Sequence, residues 1–128
     1  MIRLLLADDH LLIRNGLKLI LKENPNVEII YETAKGEEVI DFLTNNPESI
    51  DVVLMDMNMP VLDGYEAVKR LRAKGLVMPI LALTASPAPQ DKQRALEAGC
   101  NSYLLKPIAI DELLSRVCEY LSEEASHV

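Results

Sequence analysis

Four short apolar runs in this chain each stop on residues that can do chemistry. Leu4-Leu5-Leu6-Ala7 stops on Asp8-Asp9, and Val52-Val53-Leu54-Met55 stops on Asp56. Ile80-Leu81-Ala82-Leu83 stops on Thr84, and Tyr103-Leu104-Leu105 stops on Lys106. If these ends meet, three carboxylates, a hydroxyl and an ammonium share one place. Crowded carboxylates repel one another unless a cation sits among them. A small set of hard oxygen donors suits Mg2+, which keeps several waters and binds one or two carboxylates plus a phosphate. A Lys beside such a site suits a phosphoryl group as a point charge, and a Thr suits it as a hydrogen-bond donor.

Whether the ends meet depends on the elements between them. Ile2 to Ala7 reads as a strand buried on both faces. From Leu11 to about Asn24 the period becomes helical, with Ile13, Leu17, Ile20 and Leu21 inward and Arg14, Lys18 and Lys22 on the other side. Val27 to Thr33 is a second strand, placed at the sheet edge by Glu28 and Glu32. Gly36 introduces a helix with Val39, Ile40 and Leu43 inward, ended by Asn45-Asn46-Pro47. After the third strand, Pro60 breaks regular structure. Asp63 with Glu66 three residues on is a capping-box pattern, so a helix starts at Asp63. Val68 and Leu71 face in, Lys69, Arg70, Arg72 and Lys74 crowd its end, and Gly75 stops it in a left-handed conformation. The next helix runs from Pro89 or Gln90 to Ala98. Leu96 is its one large aliphatic residue, so it is the most weakly anchored. Ser102 to Leu105 is a short strand. A last helix runs from about Ile110 to Ser122, with Leu113, Val117, Tyr120 and Leu121 inward and Ala109 as a poor N-cap. Five strand-helix repeats predict an α/β fold with a mostly parallel sheet and helices on both faces. Ligands of such sheets bind beyond the carboxyl ends of the strands, so the four chemical ends share one rim.

Composition sets the bounds. The chain has 128 residues, 49% of them hydrophobic and 26% charged. That suits one soluble domain, taken as residues 1–122 with a tail of residues 123–128. A net charge of −7 argues against nucleic-acid binding by this domain and favours a cation or a basic partner. Cys100 and Cys118 have no metal-ligand spacing and read as reduced thiols. The chain opens directly on a strand, and no apolar stretch is long enough to span a bilayer. The expected location is therefore cytoplasmic, away from membranes.

These residues form a set. Leu5-Leu6-Ala7-Asp8-Asp9-His10, Asp56-Met57-Asn58-Met59-Pro60 with Asp63-Gly64, Leu83-Thr84-Ala85, Ala95-Leu96-Glu97-Ala98-Gly99 and Tyr103-Leu104-Leu105-Lys106-Pro107 follow in order. From about Ile2 to Leu121 the chain resembles the receiver domains of bacterial two-component response regulators. The resemblance implies a flavodoxin-like (βα)5 doubly wound fold, its five parallel strands ordered 2-1-3-4-5. It implies that Asp56 accepts a phosphoryl group from a phosphohistidine of a sensor histidine kinase or phosphotransfer protein. Mg2+ would be held by Asp9 directly, Asp8 through water, Asp56, and the backbone carbonyl of Asn58. Lys106 would pair with the phosphoryl oxygens, Thr84 would swing to hydrogen-bond them, and Tyr103 would turn inward behind it. A cis peptide at Lys106-Pro107 and an output face on the fourth helix, fifth strand and fifth helix are implied too. The chain would be a switch that phosphorylates and dephosphorylates itself, not a metabolic enzyme, read by an output domain or target protein. At positions that vary in the family, Asn58 and Ser86 would tune phosphate lifetime, while Pro87 and Pro89 would restrict the loop after Thr84.

Taken singly, each residue has a plainer reading. Asp8 and Asp9 can cap a helix, Asp56 can form a turn, and Thr84 can simply favour a strand. Lys106 can be a solvated charge, Tyr103 a core residue, and His10 a solvated loop residue and not a phosphoryl donor. Three other classes compete with the phosphorylated receiver. A receiver-like binding module that is no longer phosphorylated is opposed by the intact acidic pair, Asp56, Thr84 and Lys106. A flavodoxin-like carrier would need a glycine- and hydroxyl-rich phosphate loop where Asp8-Asp9-His10 stands. A metal-dependent phosphatase would need a second acid where Asn58 stands.

Overall fold

The computed structural model describes the backbone of residues 2–126 and the side chains of residues 2–120. Strands and helices alternate: β1 (Ile2–Ala7), α1 (Leu11–Lys22), β2 (Val27–Thr33), α2 (Gly36–Asn45), β3 (Val52–Asp56), α3 (Gly64–Ala73), β4 (Ile80–Thr84), α4 (Pro89–Ala98), β5 (Ser102–Leu105) and α5 (Ile110–Ser126). The sheet is parallel, in the order β2-β1-β3-β4-β5. The doubly wound fold expected from the sequence is therefore the fold observed.

The inner strands β1, β3 and β4 are largely apolar because both sheet faces are covered there. Leu5, Ala7, Val53, Met55, Ile80 and Ala82 point to the side of α2, α3 and α4. Their chain neighbours Leu4, Leu6, Val52, Leu54, Leu81 and Leu83 point to the side of α1 and α5. This period-two division gives two cores separated by the sheet. Along β2 the register slips: Leu4 pairs with Ile29 and Leu5 with Tyr31, so Ile30 is passed over. The Tyr31 and Phe42 rings stack with centroids 4.2 Å apart, holding α2 beside β2.

Three helix expectations needed adjusting. The buried stripe of α1 runs through Leu17 and Leu21, while Ile20 is exposed. The helix is rolled so that Arg14, expected on the outer side, lies against the sheet. Its Nη1 donates to the Asp8 carbonyl at 2.8 Å and its Nε stands 4.0 Å from Glu32. In α4 the small Ala95 and Ala98 are buried and Leu96 is exposed. The helix is thus held by even less apolar surface than the sequence indicated. Finally, α5 extends to Ser126, past the expected end near Ser122. The inward placement of Leu121 lies outside the described side chains, as do residues 127–128 of the expected tail.

The segments leading into and out of α3 fix the rim. Asp63 caps α3, its side chain accepting the Glu66 N–H at 2.9 Å. Gly64 packs so closely on the end of β3 that a Cβ would stand 2.7 Å from Met57 Cα and meet the Asp56 carbonyl oxygen. Gly75 follows α3 with φ of 84°, the left-handed stop expected there. Arg72 donates to the carbonyls of Leu76, Met78 and Gly99 and to Asn101 Oδ1. It thereby ties the end of α3 to the entries of β4 and β5.

Candidate functional site

Strand register brings the chemical residues together. Ala7 pairs with Met55, so Asp8 emerges beside Asp56. Asp56 pairs with Leu83, which puts Thr84 one step beyond it on the next strand. Thr84 pairs with Leu105, and the Lys106 N–H donates to the Thr84 carbonyl at 2.8 Å. The crevice lies where the chain turns from winding toward β2 to winding toward β4, the switch point of a doubly wound sheet.

The centre is Asp56, whose side chain is 1% exposed. Its Oδ1 accepts the Asn58 backbone N–H at 3.0 Å and faces the Lys106 ammonium at 3.3 Å. The same ammonium is 2.8 Å from Asp8 Oδ2, outside hydrogen-bond alignment. Asp8 is fully buried and Asp9 partly so. Asp9 Oδ1 and Asp56 Oδ2 are buried and accept no hydrogen bond. Burial pushes the Asp56 carboxyl up to about 6, helped by the Asp8 charge and opposed by the Asn58 N–H and Lys106. A single ammonium does not neutralise three carboxylates. The orphaned oxygens and the surplus negative charge fit a hard cation in the crevice. Within the described residues Asp8, Asp9, His10 and Asp56 form an acidic cluster whose donor atoms lie within 4.8 Å of one another.

The other expected residues sit around this centre. Thr84 is buried, and its hydroxyl accepts the Ser86 N–H at 3.1 Å. Ser86 Oγ in turn donates to Asp91 in the first turn of α4. Tyr103 is half-buried on β5, packed against the core on the side of α2, α3 and α4, with the Lys92 ammonium 4.7 Å from its ring centre. Asn58 is exposed and contributes its amide. The Lys106-Pro107 peptide is cis. Two residues gained a place that sequence reasoning had not assigned. His10 turns its ring over the acidic cluster and is not simply solvated. Arg14 holds the Asp8 carbonyl. The one available signal for His10 was its adjacency to Asp8-Asp9. Arg14 read as an ordinary outer-face charge.

Comparison with known proteins bears on the chain as a whole. The family model described as "Response regulator receiver domain" matches residues 4–118. A nitrate/nitrite response regulator protein homolog of Haemophilus influenzae is 37% identical over 116 residues, which is 91% of this chain and 55% of that protein. Sensor histidine kinase RcsC of Salmonella typhi is 36% identical over 118 residues, 91% of this chain and 12% of that protein. This chain therefore spans about half or less of these relatives. Among solved structures, the Francisella response regulator 1452 receiver domain superposes with a TM-score of 0.85 at 31% identity, covering 97% of this chain and 99% of that one. The receiver domain of Saccharomyces cerevisiae Ssk1, solved with the histidine phosphotransfer protein Ypd1, gives 0.79 at 31% identity, covering 93% and 88%. Among the described residues no helix is long and apolar enough to cross a membrane.

Proposed function

We propose, since this chain belongs to the response regulator receiver domain family, that Asp56 is the phosphoryl acceptor of a phosphorelay switch. The observation that carries this is the state of Asp56: buried, beside an ammonium, with one oxygen free of hydrogen bonds. Oδ1, between Lys106 and the Asn58 N–H, is the oxygen that takes the phosphoryl group. Oδ2 faces the carboxylate cluster and serves the cation. Asp9, Asp56 and the Asn58 carbonyl would hold Mg2+ directly, and Asp8 would hold it through water. When bound, that ion neutralises the charge that gathers on the transferring oxygens.

In the transfer, Asp56 Oδ1 forms a bond to phosphorus as the donor phosphorus–nitrogen bond breaks. No general base is required, because the carboxylate is already the nucleophile. Lys106 follows the charge onto the phosphoryl oxygens and moves away from Asp8. Thr84 gives up the Ser86 N–H to donate its own hydroxyl proton to a phosphoryl oxygen. That releases the Thr84–Ser86–Asp91 chain at the start of α4, and Tyr103 moves inward into the space behind Thr84. The added group carries roughly one to two negative charges, enough to bias a helix held by so little apolar surface. The α4-β5-α5 face is the surface we expect a target or output domain to read. The donor is a phosphohistidine on a sensor histidine kinase or a phosphotransfer protein, and the setting is the cytoplasm.

Acetyl phosphate tests the reading without a partner. With Mg2+, intact mass should show one added phosphoryl group, absent in Asp56→Asn and hydroxylamine-labile as an acyl phosphate must be. Phosphorylation that persists in Asp56→Asn, or fails in the wild type, overturns it.

A further inference from the structure

His10 takes no part in the transfer described above, yet its ring covers the acidic cluster. It is the N-cap residue of α1 but makes no side-chain cap hydrogen bond. Its backbone N–H donates to Asp8 Oδ1 at 2.8 Å, which folds the turn back on itself and swings the ring over the crevice. Nδ1 then stands 3.1 Å from Asp8 Oδ1, 3.3 Å from Asp9 Oδ1 and 3.7 Å from Asp56 Oδ2. A ring N–H can satisfy one of these oxygens. Asp9 Oδ1 and Asp56 Oδ2 nevertheless stay without a hydrogen bond, and the Asp56 side chain is 1% exposed.

The spacing is that of ligands around one ion. Donors about 2.1 Å from an octahedral ion and at right angles to one another lie about 3.0 Å apart. The separations to Asp8 and Asp9 are close to this, and the one to Asp56, at 3.7 Å, is longer. The four donor atoms lie within 4.8 Å of one another, so an ion drawing Asp9 and Asp56 together would have Nδ1 within reach. Coordination through Nδ1 leaves the proton on Nε2, and the side chain is 55% exposed, so that N–H has access to water.

We infer that His10 Nδ1 is a protein ligand of the cation site, making it a mixed nitrogen and oxygen site that favours first-row transition dications over Mg2+. This rests on the reading of Asp8, Asp9 and Asp56 as cation ligands. Carboxylate and carbonyl oxygens suit Mg2+, whereas an imidazole nitrogen adds affinity mainly for later ions such as Co2+, Ni2+ and Zn2+, and less for Mn2+. The His10 contribution is therefore selective among metals. A merely structural contact would help all of them or none.

The test uses the whole chain and Mn2+ as the probe. Pulsed electron paramagnetic resonance of bound Mn2+ should show hyperfine coupling to a directly bound nitrogen. His10→Ala should remove that coupling and weaken Zn2+ and Co2+ binding about tenfold, with Mg2+ binding changed less than about threefold. Calorimetric titration reads the affinities, and a cation-free thermal melt of His10→Ala checks its fold. Mn2+ bound without nitrogen coupling in the wild type overturns the inference, whatever the variant does. So does an equal loss of Mg2+ and Zn2+ affinity in a folded His10→Ala. Failure of the underlying reading looks different: Mn2+ does not bind at all, or binds Asp9→Asn and Asp56→Asn as tightly as the wild type.

Discussion

At the scale of single residues, the site is expensive to keep charged. Asp56 is buried, and its carboxyl is raised to about 6 from an ordinary 3.8. A group whose folded pKa lies above its unfolded one binds protons more readily when folded, so ionising it costs stability. The cost is absent below about pH 4, grows between pH 4 and 6, and is complete above that. At neutral pH it is on the order of 2–3 kcal/mol. Without divalent cation, Asp56→Asn should raise stability by about 1–2 kcal/mol at pH 8, the lost Lys106 contact offsetting part of the gain. Its advantage should shrink toward pH 4. Urea melts across that range check this, and an advantage that grows as pH falls would contradict it. The cysteines divide just as clearly. Burial pushes the Cys100 thiol up to about 12, while Cys118 lies exposed on α5. A disulfide reagent should titrate one thiol in the native protein and two in urea, with Cys118→Ser abolishing the fast phase.

Among the elements, α3 and α4 are held in opposite ways. Gly64 lets α3 start directly against the backbone of Asp56 and Met57. Gly64→Ala should cost about 3 kcal/mol and displace Asp56 enough to stop phosphorylation by acetyl phosphate. Wild-type stability in that variant would show that the contact gives way easily. By contrast, α4 buries only Ala95 and Ala98 and leans on two cation–ring contacts, Lys92 on Tyr103 and Arg94 on Tyr65. Lys92→Ala should speed amide exchange in residues 89–98 while lowering global stability by less than about 1 kcal/mol. Exchange unchanged there would show that Lys92 does not hold the helix. How far these elements were legible follows from what sets them. Apolar runs, the Asp63 cap and the Gly75 stop are local signals, and they placed the strands and helices within a few residues. The roll of α1 was not legible, because it depends on Arg14 reaching the Asp8 carbonyl and Glu32, a partner on another strand. Nor was the ring of His10, which is aimed by a turn bonded to Asp8 Oδ1.

On the scale of the whole molecule, the cluster exists only when the sheet is complete, since Asp8, Asp56 and Lys106 leave three different strands. A divalent cation that binds there binds the folded chain alone. It should add about 2.7 kcal/mol at a hundredfold excess over its Kd, an increment that Asp9→Asn reduces. Thermal melts with Mg2+ and with chelator measure it, and identical melts would argue against a cation site. The acidic end strand has a consequence of another kind. Along β2 the passed-over Ile30 interrupts the regular spacing of backbone donors and acceptors, and exposed Glu28 stands nearby. A second copy laid alongside would find its bonds out of step and its Glu28 carboxylate facing like charge. On this edge the irregular strand thus works against the addition of a further strand.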